Sequence, residues 1–175
     1  IDKAIEKAKG GTGEDFETAR YEGFGPGGCM VIVDCLTDNS TRTFNDVRLC
    51  FTKNNCKIGT QGSVSHMFEH SSILAFHGQD EEKVFETLID ANIEITDIEA
   101  ENDLITVFTP QSEYGKVKKT LADFSENIEF EVDEIQFIPN SQIKINPEEM
   151  EVLNKFLMML NDLDDVQRVY HNVEE

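Results

Sequence analysis

The sequence predicts an α+β chain of two α/β sandwich domains, one ferredoxin-like and inserted into the other, preceded by the remnant of an N-terminal helical domain. Three observations predict it. Residues 73–138 read strand–helix–strand–strand–helix–strand, the split-βαβ order. Strand–helix–strand stretches flank that unit, at residues 29–70 and again in the tail, and together would make a second sandwich. The charge is uneven as well: residues 76–137 hold 17 acidic and 4 basic residues, whereas residues 1–75 hold 10 and 8. The expected divisions are 1–13, the end of a truncated helical domain with its linker; 14–72 plus 139–175, a discontinuous α/β domain; and 73–138, an inserted acidic domain.

The elements follow in chain order. Ile1, Ala4, Ile5 and Ala8 repeat with helical spacing and no Met begins the chain, so residues 1–9 read as the last turns of a longer helix. Gly10-Gly11-Thr12-Gly13 then serves as a flexible joint. Tyr21–Gly28 packs four glycines and a proline into eight residues, which marks a tight turn or a close backbone approach. Met30–Leu36 is apolar and β-branched, a strand. Asn39 or Ser40 caps a helix to about Asn54, with Phe44, Val47 and Phe51 inward. Ser63–Phe68 alternates like a strand, and Ser71-Ser72 turns into a further strand, Ile73–Phe76.

Within the inserted unit, Asp80 caps a helix with Val84, Phe85, Leu88 and Ile89 inward. Ile93–Ile98 and Leu104–Phe108 form a hairpin. Ser112 caps a second helix with Tyr114, Val117, Leu121 and Phe124 on one stripe, and Ile128–Ile138 is the closing strand. In the tail, Asn146 caps a helix, Pro147 takes its first position and Glu149 completes a capping box. Met150, Leu153, Leu157 and Leu160 face inward there, and Val166–Val173 is the last strand.

Composition narrows the function. With 35 acidic against 15 basic residues the net charge is −20 over 175 residues, which repels phosphate backbones. Cys29, Cys35, Cys50 and Cys56 lack C-x-x-C spacing and read as reduced, mostly buried thiols. No apolar run approaches a membrane span and no signal peptide is visible, which points to the cytoplasm, or to the mitochondrion in a eukaryote.

Several short patterns fail on context. Gly23, Gly25 and Gly28 match G-x-G-x-x-G, but a strand follows where the dinucleotide motif needs a helix N-terminus. His66–His70 matches H-x-x-E-H; on a strand the two imidazoles would stand ~13 Å apart, too far to share one metal. Asp164/Asp165 and Asp133/Glu134 read as solvated faces. No hydrolase elbow surrounds Ser63. Nothing here makes an enzyme, and no cofactor, metal or small-molecule substrate is expected.

Four stretches carry a resemblance. They are Tyr21-Glu22-Gly23-Phe24-Gly25-Pro26-Gly27-Gly28; Thr37–Thr43 with Val47-Arg48; Gly62-Ser63-Val64 with Met67-Phe68; and Asp164–Gln167 with Val169–Asn172. Together they resemble the YebC family, which includes the mitochondrial translational activator of cytochrome c oxidase subunit I. The resemblance implies a basic N-terminal helical domain followed by two α/β domains, the third inserted into the second. It also implies a non-enzymatic factor that aids translation on the ribosome or, alternatively, a DNA-binding transcriptional regulator. A third reading is an acidic protein-interaction module. Ribosomal RNA would be met mainly through the basic N-terminal domain. The suspected second contact comprises Tyr21, Glu22, Gly23, Gly25, Pro26, Gly27, Gly28, Arg42, Arg48 and Lys53. Gly27→Val and Gly28→Val are accordingly expected to leave folding largely intact while removing activity. Where many relatives carry Gly-Gly after Lys-Asn, this chain has Asn55-Cys56, so the turn there is expected to differ.

Overall fold

The structure, a computed structural model, describes residues 15–174. The helix expected over residues 1–9 and the joint at 10–13 lie outside them. The described residues divide into two compact units: residues 15–68 with 139–174, and residues 69–138.

The first unit is a four-stranded sheet with two helices on one face. Its strands are β1 (Glu17–Phe24), β2 (Met30–Thr37), β3 (Lys57–Ile58) and β8 (Val166–His171), in the order β3-β1-β2-β8. β1 pairs antiparallel with β2 and β3, and β2 antiparallel with β8. Alternation along β2 sends Val31, Val33 and Cys35 into the core, where they meet α1 (Ser40–Lys53) and α4 (Pro147–Asn161) through Val47, Cys50, Phe51, Leu153, Phe156 and Leu160. Phe51 and Phe156 meet edge to face, with centroids 4.8 Å apart. Burying each such ring is worth about 2–3 kcal/mol.

Both helices begin as their sequences dictate. The Asn39 side chain accepts from the Arg42 amide, and Asn146 with Glu149 forms a full capping box behind Pro147. α1 ends with Asn55 at φ +56°, while the Cys56 amide returns to the Phe51 carbonyl at 2.8 Å. Asparagine thus supplies the left-handed residue that glycine usually provides at this position.

The second unit runs β4 (Phe68–His77), α2 (Glu81–Asp90), β5 (Asp97–Glu101), β6 (Leu104–Pro110), α3 (Tyr114–Phe124) and β7 (Phe130–Pro139). Its sheet order is β5-β6-β4-β7, the ferredoxin-like arrangement of a βαββαβ chain. The β5–β6 hairpin turns on Asn102 and Asp103, both at positive φ, as a two-residue hairpin requires. Leu74, Phe76, Ile105 and Val107 of the sheet pack against Val84, Leu88, Val117 and Leu121 of the helices.

Several expectations are corrected. Residues 63–67 are not strand: Ser65–Met67 is a 3-10 turn, and no turn occurs at Ser71-Ser72, because β4 runs unbroken through them. Strand β1 carried no recognised signal, since its alternation is masked by Glu22 and Gly23 on opposite faces. α3 starts after a 3-10 turn at Gln111–Glu113 without the Ser112 cap. The first hairpin strand begins at Asp97 rather than Ile93. Phe44, Phe85 and Ile89 face outward, at 40%, 44% and 46% exposure. In α4, Phe156 takes a fully buried place, while Met150 and Leu157 pack only at the margin.

Candidate nucleic-acid interface

The glycine-rich stretch is distributed across three local environments. Glu22 lies on β1 with only 1% of its surface exposed. Its carboxylate accepts from the backbone amides of Gly62 at 2.7 Å, Val64 at 3.0 Å and Ser65 at 2.6 Å. Burial by itself pushes this carboxyl up, but the three amide donors more than offset that and hold it below the usual glutamate range. Glu22 is therefore the anion around which the 59–65 loop folds, with the Gly59 amide donating to its main-chain carbonyl at 2.7 Å. Its side chain is used internally.

Gly23 has a different reason. A Cβ there would stand 2.5 Å from both the Lys57 carbonyl and the Phe51 ring, so only glycine lets β3 and α1 close on β1. Gly25 donates its amide to the Cys29 carbonyl at 2.8 Å and opens the 3-10 turn Pro26–Gly28. Gly27, at φ +69°, presses against Ile145 and Glu149 ahead of and within α4; an added Cβ would be 2.6 Å from the former. Gly28, at φ +78°, faces open space. The expectation for valine at both positions is thereby split: at Gly27 it collides with the α4 entry, whereas at Gly28 only backbone strain opposes it.

Tyr21 is half-buried, its hydroxyl donating to the Ser40 carbonyl at 3.5 Å and its ring 5.8 Å from Phe44. Burial, then the nearby Cys35, Glu17 and Asp165, push its phenol up. Arg42 is engaged as well: its guanidinium donates to Asp38 at 2.8 Å and to Asp165 at 2.9 Å. Asp165 is buried, not solvated as its acidic run suggested. Thr43 Oγ1 donates to the same Asp165 oxygen at 2.7 Å, Thr37 Oγ1 lies 3.3 Å from it, and the Leu36 amide donates to its carbonyl. Two stretches more than 120 residues apart in sequence thus meet around one carboxylate.

The remaining cations lie elsewhere. Arg48 and Lys53 are exposed on α1, and no ion pair engages either among the described residues. Beyond the Asn55 turn, exposed Lys57 on β3 stands in register with Phe24, itself 37% exposed. Phe24 and Lys57 were not among the suspected residues. Phe24 sits inside the glycine stretch, and its outward alternation from Gly23 is the signal that could have found it. An aromatic ring beside unneutralised cations suits a phosphate backbone with unstacked bases. The ten suspected residues do not form one constellation. Lys53 ends α1 shortly before Lys57, which pairs with Phe24, whereas Arg48 lies about 140° around the helix from Lys53 and Arg42 is about 16 Å from Lys53 along the helix axis.

Among the described residues no group of three or more His, Cys, Asp or Glu could hold a metal. His66 points back to the Gly62 carbonyl at 3.1 Å, and His70 stacks on Phe137. All four cysteines are free thiols; burial pushes Cys29 and Cys56 up to about 11. No described helix is long and apolar enough to cross a membrane.

Comparison with known proteins agrees with this architecture. A family described as "TACO1/YebC second and third domain" matches residues 16–173. The chain is 63% identical over 174 residues to a "Probable transcriptional regulatory protein" of Saccharophagus degradans, covering 99% of this chain and 73% of that one. A protein of the same description from Marinobacter nauticus is 62% identical, with 99% and 72% covered. Among solved structures, the conserved hypothetical protein Aq1575 from Aquifex aeolicus superposes with a TM-score of 0.72 at 33% identity, over 99% of this chain and 71% of that one.

Proposed function

The chain belongs to the TACO1/YebC family, and from that premise we propose that it regulates gene expression by binding rather than by chemistry, at the level of transcription. Its relatives' description as transcriptional regulatory proteins supports that level. The observation that carries a nucleic-acid contact is exposed Phe24 in register with exposed Lys57, with exposed Lys53 and Arg48 on the preceding helix, set in a chain of net charge −20. Three lysine and arginine side chains with no carboxylate partner among the described residues can each replace a counterion on a phosphate. Binding to duplex DNA through them should then fall with salt at a log–log slope of about −3. The surrounding acidity keeps non-specific affinity low, so discrimination has to come from contacts beyond phosphate.

Electrophoretic shifts of the chain on target-containing and random duplexes, over a salt series, test this. The triple variant Arg48→Glu/Lys53→Glu/Lys57→Glu should weaken binding by about tenfold or more, as the loss of three phosphate contacts requires. Unchanged binding removes the interface.

A second reading is favoured by one observation, the exposed Phe24 ring in register with Lys57, since an aromatic face beside a cation suits stacking on unpaired bases. That pairing suits docking on single-stranded segments of ribosomal RNA. Co-sedimentation with ribosomes at moderate salt, lost in the same triple variant and absent for duplex DNA, would select it over transcription.

A further inference from the structure

α2 turns an apolar ridge away from its own core. Val84 and Leu88 are buried at 1% and 0% exposure, yet Phe85 and Ile89 beside them are 44% and 46% exposed. Residues four apart share a helix face, so the two side chains form one continuous strip. Phe85 and Ile98 supply the apolar lining of a groove of about 560 Å³, and Glu81, Glu82 and Glu86 supply its acidic lining. Ile98 belongs to β5, the edge strand of this sheet, whose Asp97 and Glu99 are also exposed. Lys83 is the single cation of α2. Of the α3 lysines, Lys116 reaches the Asn92 carbonyl and Lys118 pairs with Asp133 at 2.6 Å.

An exposed phenylalanine and isoleucine framed by carboxylates has a specific complement. We propose that this groove docks a basic amphipathic helix of a partner protein, its apolar side over Phe85 and Ile89 and its lysines or arginines against Glu81, Glu82 and Glu86. A helix in a groove uses apolar anchors at i, i+3 and i+4, the spacing this strip presents from its own side. The charge selects the occupant. The second unit carries 18 acidic against 4 basic residues, so nucleic acid and anionic lipid are repelled. A second copy would set Glu82 and Glu86 against their own images, since a two-fold contact repeats the same patch on both sides. A cationic helix meets neither obstacle. This inference uses none of Phe24, Arg48, Lys53 and Lys57 and stands independently of the nucleic-acid reading.

The test is fluorescence anisotropy of the full chain with a labelled lysine–leucine amphipathic peptide of about 16 residues, near the length at which isolated helices become stable. A scrambled peptide of equal charge but no apolar stripe is the comparison. The amphipathic peptide should bind about tenfold more tightly than the scrambled one. Phe85→Ser/Ile89→Ser and, separately, Glu82→Lys/Glu86→Lys should each weaken it by about tenfold, or 1.4 kcal/mol. All four positions are on the surface, so both variants should keep the wild-type circular dichroism and urea midpoint. Equal binding of the two peptides, or binding indifferent to Phe85 and Ile89, overturns the proposal. It is equally overturned if those two residues are instead needed for self-association in sedimentation, for binding phosphatidylserine vesicles, or for binding duplex DNA.

Discussion

The two units use the same plan, a four-stranded sheet backed by two helices, but they treat their acidic residues in opposite ways. In the first unit two carboxylates are taken inside and made structural: Glu22 by three main-chain amides, Asp165 by Arg42, Thr43 and Thr37. In the second, the core cluster is apolar and the acids stay outside, where Lys118–Asp133 is a half-exposed pair. The difference teaches that acidity here is two things. Inside the first unit it organises loops that have no core of their own; on the second it stays at the surface, the face that the proposed cationic helix would meet.

The sharpest way to break the comparison is Glu22→Ala. It leaves the Gly62, Val64 and Ser65 amides without an acceptor, which should cost about 3 kcal/mol in urea unfolding of the chain. Neutralising a surface acid of the second unit, such as Glu86→Gln, should stay within about 0.5 kcal/mol. Comparable losses from both would erase the distinction. The same residue sets a pH dependence. Because the folded Glu22 carboxyl is held below its ordinary value, its contribution is complete above the ordinary glutamate range and is lost as pH falls through the folded value. Glu22→Gln should flatten the urea midpoint against pH on the acid side; an unchanged slope would show that Glu22 is not the linked group.

Next in size is Gly23→Ala, which forces a methyl against the Lys57 carbonyl and Phe51 and should cost about 2–3 kcal/mol. Gly27→Ala adds a clash with Ile145 to its backbone strain, whereas Gly28→Ala carries strain alone, about 1 kcal/mol. Thermal melts should therefore rank Gly23 and Gly27 well ahead of Gly28. A function lost in Gly28→Ala with the fold retained would assign that open glycine to a partner's approach.

The smallest effect sharpens the contrast from the other side. Burial pushes the Asp133 carboxyl up, but Lys118 and Tyr114 outweigh it and hold it below the usual range. As a half-exposed pair it is worth about 0.5 kcal/mol. Asp133→Asn should lose that at low salt and nothing in molar salt, because surface pairs are screened. Glu22, sealed by backbone donors, should keep its contribution at both salt concentrations.

Local pattern determined a good deal by itself. The βαββαβ order, the Asn39, Asp80 and Asn146 caps, the capping box at Glu149 and the inward faces at Val47, Leu88 and Leu160 all follow from residues within one or two turns of each other. The turn after α1, expected to differ from that of relatives carrying Gly-Gly, has Asn55 at φ +56°, a left-handed conformation that asparagine tolerates. The candidate site was legible only in part. The glycines drew attention correctly to a crowded stretch, and Arg48 and Lys53 are exposed, but Arg42 is held by two aspartates and Glu22 is sealed inside.

Those outcomes needed the tertiary structure. Glu22 finds its donors 40 to 43 residues away, and Asp165 finds Thr37 and Thr43 at separations of 128 and 122. Phe44, Phe85 and Ile89 match the helical period as well as their buried neighbours do, and only the width of the face that each sheet covers leaves them outside. Periodicity says which side chains share a face. Whether a carboxylate is a surface charge or the anchor of a loop depends on donors that only the folded chain brings to it.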